Sequence, residues 1–150
     1  MTQRRKHQNY HPYLITTNVL KRAQLFDDIE YASALSKIII VVCRKLDCEL
    51  YAYCIMPDHI HLLLQTNAEN TISKVMQQIK SLSAKELRDK HDFKVKFWQS
   101  RFNHQIIDTN TGITSAIVYI KNNHIKWGLD EKYSLLPYLY IKQLGVTSWR

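Results

Sequence analysis

The sequence predicts an α+β fold, a ferredoxin-like (RRM-like) βαββαβ antiparallel sheet with one added C-terminal helix. Two observations lead to it. The hydrophobic period changes between two and about 3.6 along the chain in the order β-α-β-β-α-β-α. No internal repeat or Ser/Gly-rich linker divides the 150 residues, a length that closes one core without disulfides. We therefore expect one domain over 1–150, with its core at about 10–129 and an amphipathic tail at 130–150, where Pro137 argues against a long helix.

The first half of the chain contains three predicted strands and one helix. A strand is expected at 13–17, where aromatic and β-branched residues follow Pro12. Asp27 or Asp28 then caps a helix whose apolar positions recur at helical spacing through Leu46. Residues 49–56 alternate as a strand, Met56-Pro57-Asp58 forms a turn, and HIHLLLQT continues as the second strand of a hairpin.

The second half predicts helix, strand and helix. Asn70 or Thr71 caps a helix with one buried and one basic side. The aromatic-rich segment FWQSRFNHQIID, residues 97–108, is expected to be the fourth strand. Asn110 or Thr111 opens a third helix through Ile113 to Trp127, which Gly128 ends.

Composition indicates a polyanionic partner. Lys and Arg number 21 against 13 Asp and Glu, so the net charge is +8, with a pI near 9.4. This balance favours nucleic acid. Gly and Pro, three each, exclude collagen-like chains, and an aromatic fraction of 11% excludes a disordered one.

Cysteine usage and hydropathy indicate a cytoplasmic protein. Cys43, Cys48 and Cys54 lack the CxxC spacing of zinc and redox motifs, so we expect them to be reduced. The basic N-terminus lacks the apolar segment of a signal peptide. The longest apolar run, residues 38–43, is far short of the roughly 20 residues that span a bilayer, so no membrane partner is expected.

The His-x-His pair at His59 and His61 is a candidate metal site. Alternation places both imidazoles on one face of a strand, with Cα atoms about 6 to 7 Å apart. That face is expected to be the open side of the sheet, because the apolar residues Ile60, Leu62 and Leu64 point to the helices. Two such rings can share an ion if another element supplies a third ligand. Spacing alone equally fits two histidines on a half-exposed strand.

The third helix offers a possible complement. Tyr119 and Asn123 are four residues apart and therefore share a helical face. Such a pair is more commonly packing plus a solvated amide, so spacing does not decide its role.

Three segments resemble one known family, the single-tyrosine HUH transposases. MPDHIHLLL is similar to their MPNHVHLL, VYIKNNHIKWGL to YIHNNPVRAGLV, and FWQSRFNHQIID to WQRGYFDHVIRD. The likeness runs from about Tyr10 to Leu129 in the family's order. Asn rather than Gln at position 123 resembles the REP-associated branch more than the insertion-sequence branch, whereas His124 departs from the family's usual Pro.

The resemblance implies a site and a chemistry. His59 and His61 correspond to metal ligands, Asn123 to the third ligand and Tyr119 to the nucleophile. The implied activity is a metal-dependent single-stranded DNA endonuclease and strand transferase, which acts beside DNA hairpins through a 5′-phosphotyrosine. Neutral ligands suit Mg²⁺ or Mn²⁺. Insertion-sequence relatives form homodimers in which the tyrosine helix can serve the partner's site, whereas REP-associated relatives can act as monomers.

Seven cations are candidate DNA contacts, and three aromatic residues could stack on unpaired bases. For each of them, a solvated helix face or a place in the core is the simpler interpretation. The cations are Lys74, Lys80, Lys85, Arg88, Arg101, Lys121 and Lys126, and the aromatic residues are Tyr53, Trp98 and Phe102.

Two other functions stay open at this point. A non-catalytic RRM-like nucleic-acid-binding domain would use the same sheet, although the sequence has no clear RNP-type aromatic pattern. An inactivated HUH remnant is the other, and His124 in place of Pro is its only support.

Overall fold

The computed structural model describes residues 11–143 as a five-stranded sheet flanked by helices. The strand order is β4-β1-β3-β2-β5, and every neighbouring pair is antiparallel. The predicted α+β class and ferredoxin-like arrangement are thereby confirmed, and β5 is an addition. The strands are β1 (Tyr13–Asn18), β2 (Glu49–Met56), β3 (His59–Gln65), β4 (Asn103–Ile106) and β5 (Leu139–Ile141).

Two long helices, α1 (Ile29–Lys45) and α2 (Ile72–His91), pack against each other in one layer. Each begins at a predicted cap, because Asp28 accepts a hydrogen bond from the Glu30 amide and Thr71 accepts one from the Lys74 amide. Their buried faces carry the apolar residues that the helical period predicts, including Leu35, Ile39, Val42, Val75 and Ile79.

The central strand β3 carries the histidines. It lies between β1 and β2, and the register pairs Thr16 of β1 with His61 and Asn18 with His59. The turn before it is held from outside the hairpin, since the Val19 amide donates to the Asp58 carbonyl at 2.9 Å. The histidine end of β3 is therefore fixed from two sides.

Strand β4 is much shorter than predicted. Only Asn103–Ile106 pairs with β1, whereas Trp98 makes an isolated bridge to Val19. Trp98 is buried against Phe26, and its indole Nε1 donates to the Ser83 hydroxyl at 2.9 Å. Tyr53 is also fully buried. The proposal that Trp98 and Tyr53 stack on unpaired bases is therefore wrong, because both rings fill the core.

The third predicted helix is interrupted. Thr109 caps α3 (Asn110–Lys121), rather than Asn110 or Thr111, and a short α4 (Asn123–Lys126) follows. Asn122 separates the two with φ −99° and ψ 5°, so a continuous helix to Trp127 is wrong. Gly128 ends α4 at a positive φ of 66°, as its position predicted.

The tail belongs to the fold as far as residue 143. A 3₁₀ turn at Glu131–Ser134 leads to β5, which pairs with β2. The buried Tyr133 donates its hydroxyl to the Asp27 carboxylate, and Tyr138 donates to the Asp27 carbonyl at 3.1 Å. Residues 1–10 and 144–150 of the predicted domain lie outside the described residues.

All three cysteines are free, with Cys43 and Cys54 buried and Cys48 half-buried. Within residues 11–143, no helix has the length and apolar character that crossing a bilayer requires.

Tyr133→Phe tests the connection between the tail and α1. Loss of the donor to Asp27 should lower the free energy of unfolding by about 1 kcal/mol at pH 7, since hydrogen bonds to charged groups are worth somewhat more than neutral ones but Asp27 is exposed. The Tyr133 hydroxyl holds the pKa of Asp27 below its usual value. This stabilisation is therefore present above the ordinary carboxyl pKa and is lost as the pH falls through the lower folded-state value.

Urea unfolding at pH 7 and at pH 3 measures the effect. Tyr31→Phe is the control, because the Tyr31 ring packs against His91 and Phe93. A deficit for Tyr133→Phe that is equally large at both pH values would contradict the role of the carboxylate.

Candidate active site

The two histidines lie side by side beneath the helical segment α3–α4. Their ring centroids are 4.9 Å apart, and the side chains are only 4% and 5% exposed. The expectation that His59 and His61 face an open side is wrong, because Tyr119 of α3 and Asn123 of α4 cover that face of β3. This burial excludes the interpretation of two histidines on a half-exposed strand.

Asp58 orients the His59 ring. Its Oδ1 lies 2.7 Å from His59 Nδ1, and its Oδ2 accepts a hydrogen bond from Arg22 Nε at 2.9 Å. Burial favours the neutral acid, but the hydrogen bonds from His59 and Arg22 prevail and hold the pKa of Asp58 below its usual value. The carboxylate fixes the proton of His59 on Nδ1 and leaves the Nε2 lone pair directed at Asn123.

His61 is held by a different partner. The Thr16 hydroxyl and His61 Nδ1 share a hydrogen bond of 2.8 Å, which leaves Nε2 as the remaining ring nitrogen. Burial lowers the pKa of His61 to about 3, with smaller contributions from His59, Lys126 and Arg22. The ring is therefore neutral at physiological pH, the form that binds metal ions.

Asn123 completes a set of three donors. Its Oδ1 lies 3.3 Å from His59 Nε2, its side chain is 1% exposed, and its buried Nδ2 has no hydrogen-bond partner. Two lone pairs at this separation repel unless a proton or a cation lies between them. The donor set therefore fits a divalent ion with neutral N and O ligands. Among residues 11–143, no three His, Cys, Asp or Glu side chains are grouped so that they could hold a metal ion, and the Asn123 amide is the candidate third ligand beside the histidine pair.

Tyr119 stands next to the histidines on its own chain. Its ring packs edge-on against His61 with centroids 5.1 Å apart, and it is 38% exposed. It also faces an open cleft of about 410 Å³, lined by Leu14 and Thr16 of β1 and by residues 103–105 of β4. The Tyr119 side chain is therefore open to solvent, and it lies beside the histidines of its own chain.

The break at Asn122 shapes this arrangement. The Tyr119 ring contacts His61, whereas the Asn123 side chain contacts His59. The two side chains therefore meet neighbouring histidine rings and do not converge on one atom. The sequence predicts one continuous helix with both residues on the same face, and the break at Asn122 corrects this prediction.

Comparison with known proteins now decides the family. The family model described as "Transposase IS200 like" matches residues 6–123, more than half of the chain. The chain belongs to the IS200-like transposase family.

Relatives agree with this assignment. The chain is 32% identical over 106 residues to a protein of Haemophilus influenzae described as a REP-associated tyrosine transposase. That match covers 64% of this chain and 60% of the relative, so the chain spans less than two thirds of the relative's length.

Two solved structures share the fold. One is a REP-associated tyrosine transposase bound to a REP hairpin, with a TM-score of 0.71 and 24% identity over 86% of this chain and 75% of that one. The other is a transposase from Deinococcus radiodurans, with a TM-score of 0.53 and 24% identity over 75% of this chain and 90% of that one.

His124 does not make the transposase helix continuous. The chain breaks at Asn122 even without a Pro at position 124, and the His124 carbonyl accepts the Leu129 amide at 2.8 Å. The side chain is buried. The loss of Pro therefore leaves the local backbone break in place.

The candidate DNA-contacting cations fall into two groups. Lys121 and Lys126 are exposed on the segment that carries Tyr119. Four others belong to α2, and three of these have partners: Lys80 donates to the carbonyls of Gln99 and Arg101, while Lys85 and Arg88 pair with Asp89. Lys74 of α2 and Arg101, before β4, are exposed.

Sequence reasoning missed three supporting residues. Asp58 was assigned only a turn role, although its position directly before His59 could have indicated a carboxylate partner. Thr16 lies opposite His61, a pairing that depends on the register of β1 against β3. Arg22 gives no signal, because it reaches Asp58 from a short 3₁₀ turn with a positive φ of 55°.

A larger cavity lies elsewhere. It measures about 580 Å³ and lies between α2 and residues 93–102, with Lys80 and Phe102 in its wall. It shares no lining residue with the histidine site. The smaller cleft is the one lined by Tyr119 and by Thr16, the hydrogen-bond partner of His61.

Proposed function

We propose that this transposase-family chain is a metal-dependent single-stranded DNA endonuclease and strand transferase that acts beside DNA hairpins. The observation that carries the proposal is the convergence of Tyr119 with His59, His61 and Asn123 in one chain. The hairpin substrate is supported by the relative of REP-associated type and by the similar fold of a transposase bound to a REP hairpin.

The three neutral donors would hold Mg²⁺ or Mn²⁺. When bound, the ion would polarise the scissile phosphate and offset the charge that develops there. His59 Nε2, the remaining nitrogen of His61 and Asn123 Oδ1 add no negative charge beside the phosphate. Asp58 and Thr16 keep the two rings oriented, a role for which outer partners of metal-ligating histidines are well known.

Tyr119 is the proposed nucleophile. Its phenol oxygen attacks the phosphorus and gives up its proton to solvent, and the bond from phosphorus to the 3′ oxygen breaks. The 3′ oxygen takes up a proton and leaves as a free hydroxyl, while the 5′-phosphate becomes an ester of Tyr119. Attack by a 3′-hydroxyl on this ester reverses the step, so strands can be joined without ATP.

The site supports a cis reaction by one copy. Tyr119 reaches the histidine pair of its own chain, so a monomer carries all four residues. We therefore propose that homodimer formation is not needed for cleavage.

Two alternative functions lose support. An RRM-like domain binds bases on an exposed sheet face, whereas α3 and α4 cover the histidine face here. The argument for an inactivated remnant was His124 in place of Pro, and the backbone break is retained with His124 present.

Tyr119→Phe tests the nucleophile. The variant keeps the ring that packs against His61 and loses the only atom that can form the phosphate ester. It should bind Mn²⁺ and hairpin DNA like the wild type but give neither a nick nor a covalent adduct. The substrate is a 3′-labelled single strand carrying a hairpin with randomised flanks, because the label then stays with the protein through the 5′-phosphate.

Denaturing gels separate the mechanisms. A hydrolytic reaction predicts continued cleavage with a free 5′-phosphate in the Phe variant. A covalent adduct that persists in the variant would assign the nucleophile to another of the nine tyrosines. Retention of the wild-type melting temperature is the folding control.

Lys126→Gln tests the DNA path. Its ammonium lies over the Tyr119 ring at 5.5 Å, so we expect it to contact a phosphate. The slope of log affinity against log salt should become shallower by about one unit. Lys85→Gln is the matched control, since the Lys85 ammonium pairs with Asp89 at 2.6 Å and should leave the slope nearly unchanged. The opposite pattern would place the path along α2.

A further inference from the structure

An exposed tryptophan lies beside the histidine site. Trp127 is 52% exposed, and its ring centroid is 5.9 Å from that of His59. Among residues 11–143, Trp127 and Tyr119 are the only exposed Phe, Tyr or Trp side chains. Both contact the same histidine pair, Tyr119 at His61 and Trp127 at His59.

The backbone fixes the position of Trp127. The residue follows α4 directly, and its amide donates to the Asn123 carbonyl at 3.3 Å. Gly128 then reverses the chain with a positive φ, and the Leu129 amide returns to the His124 carbonyl at 2.8 Å. The indole is therefore placed by the same short segment that places Asn123.

A cation lies between the two exposed rings. Lys126 Nζ is 5.5 Å from the Tyr119 ring centroid and 5.7 Å from that of Trp127. Alternation of aromatic faces and cations is how proteins bind single strands, because bases stack on the rings and phosphates meet the charges. The family segment YIHNNPVRAGLV has Ala where this chain has Trp127, so the exposed indole is a feature of this chain.

We propose that Trp127 is a stacking platform for one unpaired base next to the scissile phosphate, with Lys126 contacting the adjoining phosphate. The occupant is single-stranded DNA, since the net charge of +8 and the Lys126 ammonium beside both exposed rings favour an anionic strand here. This inference rests on the proposed function and adds a base-binding subsite to it.

Affinity for abasic substrates tests the platform directly. Binding is measured by fluorescence anisotropy in EDTA, so no cleavage takes place, on hairpin oligonucleotides with one abasic site at each unpaired position in turn. One abasic position should weaken binding to the wild type by about tenfold. Trp127→Ala should weaken binding to the intact strand by a similar factor and lose sensitivity to that position.

Two further variants control the experiment. Trp127→Phe keeps an aromatic face and should retain most of the sensitivity. Ile125→Ala removes another exposed apolar side chain of α4 and should change nothing. Melting temperatures equal to that of the wild type show that each variant is folded.

Other outcomes overturn the inference. Equal loss at every abasic position for the wild type and Trp127→Ala would mean that no base stacks on the indole. A change in oligomeric state with unchanged DNA affinity would make the surface an interface between copies. If the abasic coupling is found but no Tyr119 adduct forms with Mn²⁺, the proposed cleavage fails and the base subsite stands. If Tyr119 cleaves the DNA but no abasic position couples to Trp127, the base subsite fails and the proposed cleavage stands.

Discussion

The candidate site depends on the contact between the central strand β3 and the break between α3 and α4. His59 and His61 project from the central strand of the sheet. Tyr119 and Asn123 cover the face of the sheet on which the two rings lie. Without the break at Asn122, one straight helix would present both side chains in a single direction. With it, each reaches a different histidine.

Electrostatics accounts for the neutral side chains proposed as ligands and for the cations around them. A phosphodiester carries a negative charge, so carboxylate ligands would repel it at short range. The one carboxylate near the pair, Asp58, is held behind His59 and is offset by Arg22. It can orient the ring without facing the substrate. Lys126 and Arg22 lie close enough to His61 to disfavour its protonation.

Local patterns predicted most of the sheet and the two long helices. The caps at Asp28 and Thr71, the hairpin at Pro57-Asp58 and the stop at Gly128 follow from short-range chemistry that a sequence displays. Features that depend on tertiary contacts were missed. Trp98 looked like part of a strand but fills the core, and the three-residue β5 forms only because β2 offers an edge. The break at Asn122 has no sequence signal, because Asn is tolerated within a helix.

Sequence reasoning named the candidate site residues by type and resemblance, and the structure places them side by side and adds how they are held. His59, His61, Tyr119 and Asn123 were all named from motifs, whereas Asp58, Thr16 and Arg22 needed the register and the fold.

The central claim is that the two histidines and Asn123 bind one divalent ion beside Tyr119. Anomalous diffraction from crystals soaked in Mn²⁺ tests it most directly. The account predicts one peak about 2 Å from His59 Nε2, His61 Nε2 and Asn123 Oδ1. A peak elsewhere with this pocket empty, or one that involves the histidines but not Asn123, would contradict it.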